Sequence, residues 1–446
     1  MWTFLAKQCE LRLATTLFNG QSFTWVQTGP WHYTNVIEGR IVTLRQVDDG
    51  PVHFQIGRTI GATESNAEAG SSVVLGALRE YFQLDVDVRE LFAQWRRDDP
   101  KVFGERVPVG SPLEGVRLLR QPPVECLVSF ICSANNNIAR ISQMVQTLKR
   151  EYGECVGKLD LTTCDWIQPV QPSPAPPTAP ATPSTPTRTR KSDAPAFAEN
   201  IDPYATTLSS FTFHAFPTIS ALTAIPAPEL EEALRARAFG YRGAYIAKTA
   251  HLLASHPPTW LATLRAPETP YLVAREALLS LHGVGPKVAD CVALMGLDKF
   301  SAVPVDTHVW RIAKRDYGVG GKAKSLNAKV HTEIGDAFRK VFGERAGWAQ
   351  SVLFSAEIGS GEKADAAAER ALLVSANVSP EKWSASMSPE KRQLQLDEIK
   401  MDEVLGSVLV SADAACLDNK AEVMVVAFHL DTLETSTEVT SKKRKQ

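Results

Sequence analysis

Two glycines separated by one residue, between two helical patterns, constrain the fold of this 446-residue chain most strongly. The stretch reads Leu281-His-Gly-Val-Gly-Pro-Lys-Val-Ala-Asp-Cys291. Gly283 and Gly285 permit a tight hairpin with positive φ, and Pro286 suits the first turn of the next helix. A glycine hairpin that opens a helix presents free backbone N–H groups, which favour a phosphate oxygen. The stretch therefore predicts two helices joined by a phosphate-binding hairpin, and a plain helix–helix turn is the alternative.

Lys287 lies in the first turn of the second helix, where the helix dipole disfavours a positive charge. The apolar face of the same helix consists of Val288, Cys291, Val292 and Met295. Partial desolvation at such a position favours the neutral amine, which is a nucleophile. An exposed surface lysine is the alternative, and it is the commoner case for any lysine taken singly.

Asp306 follows Pro304 and precedes a helix predicted through Val309 and Ile312. This is the position of an N-cap, and capping alone is its plainer role. A carboxylate held by backbone N–H groups also stays ionised near neutral pH, so it can stabilise a developing cation or help to move protons. Lys287 and Asp306 together predict an amine-plus-carboxylate site.

Two further clusters carry groups that suit DNA. Asn135, Asn136 and Asn137 offer paired donors and acceptors for base edges, although three asparagines can equally cap the helix that follows. Tyr241 and Arg242 place an aromatic ring beside a guanidinium, which suits stacking and wedging in a duplex. An exposed Tyr-Arg pair at a helix end is the alternative for the second cluster.

Proline content and apolar periodicity divide the chain. Residues 168–195 contain nine of the 28 prolines, mixed with Ser, Thr and Ala, which predicts a disordered insertion because no core can form there. In the first 60 residues, Ser22-Phe23-Thr24-Trp25-Val26 alternates like a strand, and Glu38-Gly39-Arg40 separates two strand-like stretches as a hairpin turn. From about residue 73 the apolar spacing is helical.

These patterns predict an α+β fold. An N-terminal antiparallel β-sheet domain with helices spans 1–115, an all-α body spans 116–167 and 201–358, a disordered Pro/Ser/Thr-rich insertion spans 168–200, and an acidic, largely disordered tail spans 359–446. The tail ends in the basic cluster Ser441-Lys-Lys-Arg-Lys-Gln446, which is either a solvated terminus or a nuclear import signal.

Charge and cysteine usage exclude several kinds of site. The chain holds 48 basic and 50 acidic side chains, and residues 361–446 hold 11 and 15 of them, so the remainder is near neutral. Such a body must contact nucleic acid through a local patch or backbone amides rather than bulk charge. Seven scattered cysteines without Cys-x-x-Cys argue against a zinc ribbon, an iron–sulfur cluster and a disulfide scaffold. No apolar run reaches the roughly 18 residues that a membrane span needs.

The hairpin, Lys287 and Asp306 resemble those of the helix-hairpin-helix DNA glycosylases with a Gly/Pro-rich loop that ends in aspartate. Within them, the sequence is most similar to eukaryotic 8-oxoguanine DNA glycosylase/AP lyases. The similarity covers roughly residues 8–358 without the insertion, in the family's order, and is carried by 20–25, 81–86, 115–120, 125–141, 240–242, 283–317 and 346–356. Thr24 departs from the family's usual arginine, and His282 and Pro286 from its proline and threonine.

The resemblance implies a role for each matched residue. Lys287 matches the catalytic lysine, and Asp306 matches the essential aspartate. Gly20 matches the glycine whose carbonyl reads the N7 hydrogen that only the oxidised guanine has. The other residues implied for the damaged base are Gln350 at its pairing edge, Phe354 and Cys291 on its two faces, and Pro304.

A second group of matched residues is implied to contact DNA. Asn135 matches the asparagine that fills the space vacated opposite cytosine, with Asn136 beside it. Residues implied for the cytosine and its strand are Arg140, Tyr241 and Arg242. Residues implied for backbone phosphates are Gly283, Gly285, Val288 and His308.

The resemblance implies a base-excision repair enzyme that flips out and excises 8-oxoguanine, and formamidopyrimidine-guanine, opposite cytosine. The implied reaction forms a Schiff base at Lys287 and continues as a β-elimination lyase, without a metal or an organic cofactor; a cation near Leu281 and Val284 would be structural. Two alternatives stay open. One is a glycosylase for another damaged base, and the other is a non-catalytic damaged-DNA-binding scaffold, which the retention of both Lys287 and Asp306 disfavours.

The same resemblance sets expectations for partners and location. The partner is double-stranded DNA that contains 8-oxoguanine opposite cytosine, and no membrane is involved. We expect a monomer that hands its product to downstream repair proteins. We expect it in the nucleus, with the mitochondrion as a second location.

Overall fold

The computed structural model of the protein describes residues 2–359 except for 8, 30, 48–49, 58–63, 161–165, 168–209 and 322. The predicted insertion at 168–200 and the tail beyond residue 359 lie outside the described residues, and so does the basic terminus. The predictions made for these segments, including nuclear import, therefore stay predictions.

Five strands near the N-terminus form one antiparallel sheet in the order β1-β5-β4-β3-β2. They are β1 Thr3–Ala6, β2 Val26–Gly29, β3 His32–Ile37, β4 Arg40–Arg45 and β5 Val52–Ile56. Glu38 and Gly39, with φ of 50° and 67°, form the two-residue turn between β3 and β4. Positive φ at both positions matches the right-handed twist of the strands, so the predicted hairpin is confirmed.

The strand predicted over Ser22–Val26 is wrong, because β2 begins only at Val26. Residues 22–25 are all buried, so the polar and apolar side chains do not divide between two faces. Side-chain hydrogen bonds replace the ladder there: Thr24 Oγ1 donates to Glu125 Oε1 (3.0 Å) and Trp25 Nε1 donates to the Tyr81 hydroxyl (3.0 Å).

Helices dominate the rest of the described chain. They are α1 Leu13–Leu17, α2 Glu64–Tyr81, α3 Val88–Asp98, α4 Pro123–Cys132, α5 Ile138–Tyr152, α6 Ile219–Thr223, α7 Ala227–Ala236, α8 Tyr241–Ser255, α9 Trp260–Arg265, α10 Tyr271–Leu279, α11 Pro286–Gly296, α12 Thr307–Asp316, α13 Ala328–Phe342 and α14 Ala346–Gly359, with a π-helical turn at Pro100–Gly104 and a 3₁₀ turn at Gly343–Arg345. The predicted sheet-then-helices architecture is confirmed, and none of these helices is long and apolar enough to cross a membrane.

Two helices form the centre of the helical body. In α4 every residue from Cys126 to Cys132 is buried, and in α11 every residue from Val288 to Gly296 is buried. They pack against one another within one apolar core, whereas the five-stranded sheet shares a second core with α2. Burial on all sides fixes α11, so Lys287 in its first turn stands on a rigid support.

A small second sheet was not predicted from the sequence. Its strands are β6 Cys155–Asp160, β7 Trp166–Ile167 and β8 Ser210–His214, in the order β7-β6-β8. Lys158 pairs with Thr212 and Leu159 with Phe211, across the segment that contains the proline-rich stretch. Pairing between such distant segments leaves no local pattern in the sequence, which is why only helices were expected around it.

Candidate active site

An open cavity of about 430 Å³ collects residues from distant parts of the chain. Its lining consists of Asn19, Gly20, Gln21, Phe130, Lys287, Cys291, Met295, Pro304, Asp306, Val309, Gln350, Ser351 and Phe354. This set includes all seven residues that the sequence predicted for catalysis and for the damaged base. The cavity therefore surrounds the Lys287 amine and the Asp306 carboxylate. Its wall is formed by the loop before β2 and by α4, α11 and α14.

The Lys287 amine is held by the C-terminal end of α4. Its Nζ donates to Ser133 Oγ at 3.1 Å and lies 4.9 Å from the centroid of the Phe130 ring. The Ser133 hydroxyl donates its own proton to the Phe130 carbonyl at 2.7 Å, which leaves its lone pairs for the amine. Sequence reasoning did not predict Ser133 or Phe130 as site residues, because contacts between α4 and α11 are visible only in the fold.

The hairpin before Lys287 has the predicted positive φ at one of its two glycines. Gly283 has a φ of 76°, and Gly285 is the N-cap of α11 with an extended backbone. Thr249 Oγ1 donates to the His282 carbonyl at 2.9 Å and ties the hairpin to α8. Within the described residues, no acceptor bonds the N–H groups of Gly283 and Gly285. The hairpin thus offers backbone donors to an external anion.

We expect Gly283→Ala to weaken DNA binding and to destabilise the protein. An added Cβ would lie 2.5 Å from the Tyr245 ring and the left-handed backbone would be strained, so the hairpin must shift. Overpacking costs about 1–3 kcal/mol. Thermal unfolding and titration of labelled duplex DNA measure both effects. The control is Gly39→Ala, another left-handed glycine with no atom near its added Cβ; equal DNA affinity in the two variants would contradict a role for the hairpin.

Asp306 caps α12, as predicted. Its Oδ1 accepts from the Val309 N–H at 2.8 Å, and its side chain is half-buried at the cavity wall. Among the described residues, none bonds to Oδ2. One carboxylate oxygen is therefore engaged in the cap, and the other is available to a ligand.

The Gly20 backbone is braced from both sides. Asn19 Nδ2 donates to Ser355 Oγ at 3.0 Å, and Gln21 Nε2 donates to the Arg117 carbonyl at 2.9 Å. Gly20 has a φ of 85°, which favours glycine, and no donor within the described chain bonds to its carbonyl. The bracing residue Asn19 carried no signal in the sequence beyond its position beside Gly20.

The cavity lining also includes an aromatic ring, an amide and a thiol, from Phe354, Gln350 and Cys291. The Phe354 ring meets the His308 ring edge-on, with centroids 5.9 Å apart. Gln350 is buried, and no side-chain hydrogen bond of its amide is found in the described part of the chain. Burial raises the pKa of the Cys291 thiol to about 11, although Lys287 opposes this, so Cys291 stays a neutral thiol at pH 7.

Some of the residues predicted for DNA contact are engaged in hydrogen bonds within the protein. Arg242 is buried, and its guanidinium donates to the carbonyls of Ala134 (2.9 Å) and Asn135 (2.7 Å). Tyr241 is half-exposed and also donates to the Ala134 carbonyl, at 2.9 Å. The Arg242 guanidinium therefore holds the loop at residues 134–135, and its contact with DNA stays a prediction.

That loop presents Asn135 outward. Asn135 is exposed with a φ of 49°, whereas Asn136 Nδ2 donates inward to the Cys132 carbonyl at 3.0 Å. Asn137 caps α5, so one of the three asparagines has the plain capping role. Arg140 is exposed and donates to the Ala238 carbonyl at 3.2 Å. The DNA roles of these residues stay predictions.

The family's arginine position is occupied by a buried polar network. The Thr24 hydroxyl bonds Glu125 and also accepts from Asn35 Nδ2 at 2.9 Å, and Lys149 Nζ donates to Asn35 Oδ1 at 2.9 Å. Thr24 carries no charge, so the positive charge near Glu125 comes from the Lys149 amine instead. Elsewhere, the described residues contain no group of three His, Cys, Asp or Glu side chains that could hold a metal ion.

Known families and proteins resemble this chain over most of its length. Residues 3–127 match the family model of the 8-oxoguanine DNA glycosylase N-terminal domain, and residues 188–335 match that of the HhH-GPD superfamily base excision DNA repair proteins. The N-glycosylase/DNA lyase OGG1 of Arabidopsis thaliana is 34% identical over 353 residues, which cover 78% of each chain. The N-glycosylase/DNA lyase of Saccharomyces cerevisiae is 33% identical over 383 residues, covering 78% of this chain and 84% of that one.

Solved structures share the fold at lower identity. The Clostridium acetobutylicum 8-oxoguanine glycosylase/lyase, in complex with double-stranded DNA containing cytosine opposite 8-oxoguanine, is 24% identical with a TM-score of 0.53, covering 78% of this chain and 91% of that one. The 3-methyladenine DNA glycosylase of Archaeoglobus fulgidus is 17% identical with a TM-score of 0.51, covering 81% and 99%.

Proposed function

Because the chain belongs to the 8-oxoguanine DNA glycosylase/lyase family, we propose that it excises 8-oxoguanine opposite cytosine through a Schiff base at Lys287. Membership of this family shows that the protein is a bifunctional N-glycosylase/DNA lyase of base excision repair. The proposed substrate and mechanism rest on one observation. Lys287, Asp306, Gly20, Gln350 and Phe354 all line the same cavity.

The reaction first requires the damaged nucleotide to leave the base stack. The sugar C1′ is out of reach inside a duplex, and extrusion costs a few kcal/mol. Backbone donors of Gly283 and Gly285 hold the phosphates, and Asn135 fills the space vacated opposite the cytosine. The hairpin is held by Thr249, and the loop that carries Asn135 is held by Arg242. Their positions are therefore set before DNA binds.

The Lys287 amine then attacks C1′ with its lone pair. The bond from C1′ to the base nitrogen breaks, its electron pair leaves with the base, and the base takes up a proton. The amine, now bonded to C1′, gives up one proton, the bond from C1′ to the ring oxygen O4′ breaks, and O4′ takes up a proton. A protonated Schiff base between Lys287 and C1′ remains, and its positive charge makes the C2′ hydrogen acidic. Loss of a proton from C2′ then eliminates the 3′ phosphate, which is the lyase step.

Asp306 acts on the charge that develops during this attack. As the base departs, the sugar acquires positive character, and a carboxylate fixed in the cavity wall stabilises it without reorganising. The cap to Val309 holds one oxygen in place, and the second oxygen faces no competing donor among the described residues. Asp306 thereby combines the capping and the electrostatic roles that its sequence position suggested.

Recognition of the damaged base is proposed to depend on one hydrogen. Normal guanine presents a bare N7 acceptor to the Gly20 carbonyl, whereas 8-oxoguanine presents an N7–H donor. A buried acceptor left unpaired costs about 1–3 kcal/mol, or roughly 5- to 150-fold in rate. The braced Gly20 backbone supports this assignment, because it cannot turn its carbonyl away cheaply.

We expect single-turnover excision of 8-oxoguanine opposite cytosine to exceed that of guanine in the same duplex by at least this factor. The measurement compares two duplexes that differ only in carrying guanine or 8-oxoguanine at one position. A third duplex places adenine opposite 8-oxoguanine and reports the cytosine preference. Equal cleavage of guanine and 8-oxoguanine would contradict the pocket assignment.

A further inference from the structure

A buried ionic cluster lies behind the catalytic pair, on the side of α11 away from the cavity. Asp290 is on α11 between Lys287 and Cys291, and only 1% of its surface is exposed. Its Oδ1 accepts from the Tyr271 hydroxyl at 2.7 Å and from Arg275 Nε at 2.8 Å. Its Oδ2 is buried with no hydrogen-bond partner in the described part of the molecule.

His331 of α13 connects this cluster to the loop that carries Asp306. Its Nε2 lies 3.4 Å from Asp290 Oδ2 and accepts from the Val305 N–H at 3.4 Å. Val305 immediately precedes Asp306, and Asp290 lies one helical turn after Lys287. One imidazole nitrogen therefore stands between the helix that carries the amine and the segment that carries the carboxylate.

A second bond from α13 reaches the same loop. Arg339 Nη1 donates to the Ser301 carbonyl at 3.1 Å, five residues before Asp306. The Arg339 guanidinium also lies 5.7 Å from the centroid of the Tyr271 ring, which belongs to the Asp290 cluster. Two side chains of α13 thus hold the loop at two points, Ser301 and Val305.

We propose that Asp290 and His331 are positioning residues that fix the Asp306 segment against the helix carrying Lys287. The proposal rests on the proposed function, since it concerns the geometry of that same reaction. Burial, together with Arg275 and Arg339, lowers the pKa of His331 to about 4, so the ring is neutral at pH 7 and can accept the Val305 N–H. Burial raises the pKa of Asp290, and the nearby Arg275 guanidinium opposes that effect.

The arrangement matters because the two catalytic groups come from separate elements. Displacing a reacting group by about 1 Å can cost on the order of 100-fold in rate. Without the imidazole, both the Val305 N–H and Asp290 Oδ2 lose their neighbour, and the loop can relax away from α11. Neither residue lines the cavity, so their loss should leave DNA binding intact.

The test compares single-turnover excision of 8-oxoguanine by four variants of the full chain. His331→Leu removes both polar contacts, and we expect a fall of about 100-fold with lesion-DNA affinity retained. His331→Gln places an amide where Nε2 stood, and we expect most of the rate to return. His331→Asn is one methylene shorter and cannot reach Val305, so we expect it to stay slow. Ile334→Ala leaves a cavity in the same helix, where the Ile334 side chain faces Gly320, and is the control for stability alone.

Each outcome decides the matter. A slow Asn variant beside a fast Gln variant supports positioning even if His331→Leu does not fold, because the pair differs only in reach. Wild-type rates in His331→Leu or His331→Asn would overturn the proposal, and so would an equal loss of rate in Ile334→Ala. A wild-type protein that excises no 8-oxoguanine would instead overturn the proposed function on which this inference rests.

Discussion

Lys287→Gln is expected to abolish the borohydride-trapped adduct with 8-oxoguanine DNA and to slow base release by on the order of 10⁴-fold or more. The substitution keeps a polar head but removes the only amine of the cavity lining. Without that amine no Schiff base can form, so neither the glycosylase nor the lyase step proceeds. Trapping followed by gel electrophoresis measures the adduct, and single-turnover kinetics measure base release.

Binding to lesion DNA should persist in the Lys287→Gln variant. The hairpin donors of Gly283 and Gly285 and the exposed Asn135 are untouched by the change. Lys101→Gln alters an exposed lysine outside the cavity and is the matched control, with a wild-type adduct expected. A full adduct in Lys287→Gln would place the nucleophile elsewhere. Lys299 is a poor candidate, because its Nζ donates to the carbonyls of Arg265 (3.2 Å) and Ala266 (2.8 Å), away from the cavity.

Asp306→Asn is expected to slow excision by about 10²- to 10³-fold while leaving a weak trapped adduct. Asparagine caps a helix as well as aspartate does, so the bond from the Val309 N–H should survive. The amine of Lys287 also survives, but the negative charge beside the developing cation is lost. Single-turnover kinetics and the yield of trapped adduct report the two effects separately.

Asp306→Ala distinguishes the capping role from the electrostatic one. This variant loses both the charge and the cap, so its melting temperature should fall by the equivalent of about 0.5–2 kcal/mol, whereas that of Asp306→Asn should not change. The two variants should be similarly slow in excision. An Asp306→Asn enzyme with wild-type rates would show that only the cap matters.

The sequence predicted those parts of the structure that depend on local patterns. The hairpin at Gly283 and Gly285, the cap at Asp306 and the helices around them all follow from glycine conformation, capping chemistry and 3.6-residue spacing. The strand predicted at Ser22–Val26 failed because residues 22–25 are buried on every side, so alternation there does not report a sheet face.

The parts that the sequence did not predict are contacts between distant segments. Ser133 reaches the Lys287 amine from α4, 154 positions away, and no motif marks it. Arg242 was expected to contact DNA, but its guanidinium is bonded to the backbone of the 134–135 loop, a partner visible only in three dimensions. The resemblance gave seven of the thirteen residues that line the cavity, and the structure brings those seven into one cavity without testing their roles.

The most direct test of the account identifies the residue that becomes covalently bound to the substrate. Wild-type protein is incubated with an 8-oxoguanine·cytosine duplex and borohydride, digested with nuclease and trypsin, and analysed by mass spectrometry. Modification blocks cleavage at Lys287, so we expect the sugar remnant on one peptide that spans residues 276–299, between Arg275 and Lys299. A remnant on any other peptide, or no adduct on this duplex, would contradict the Schiff-base mechanism at Lys287.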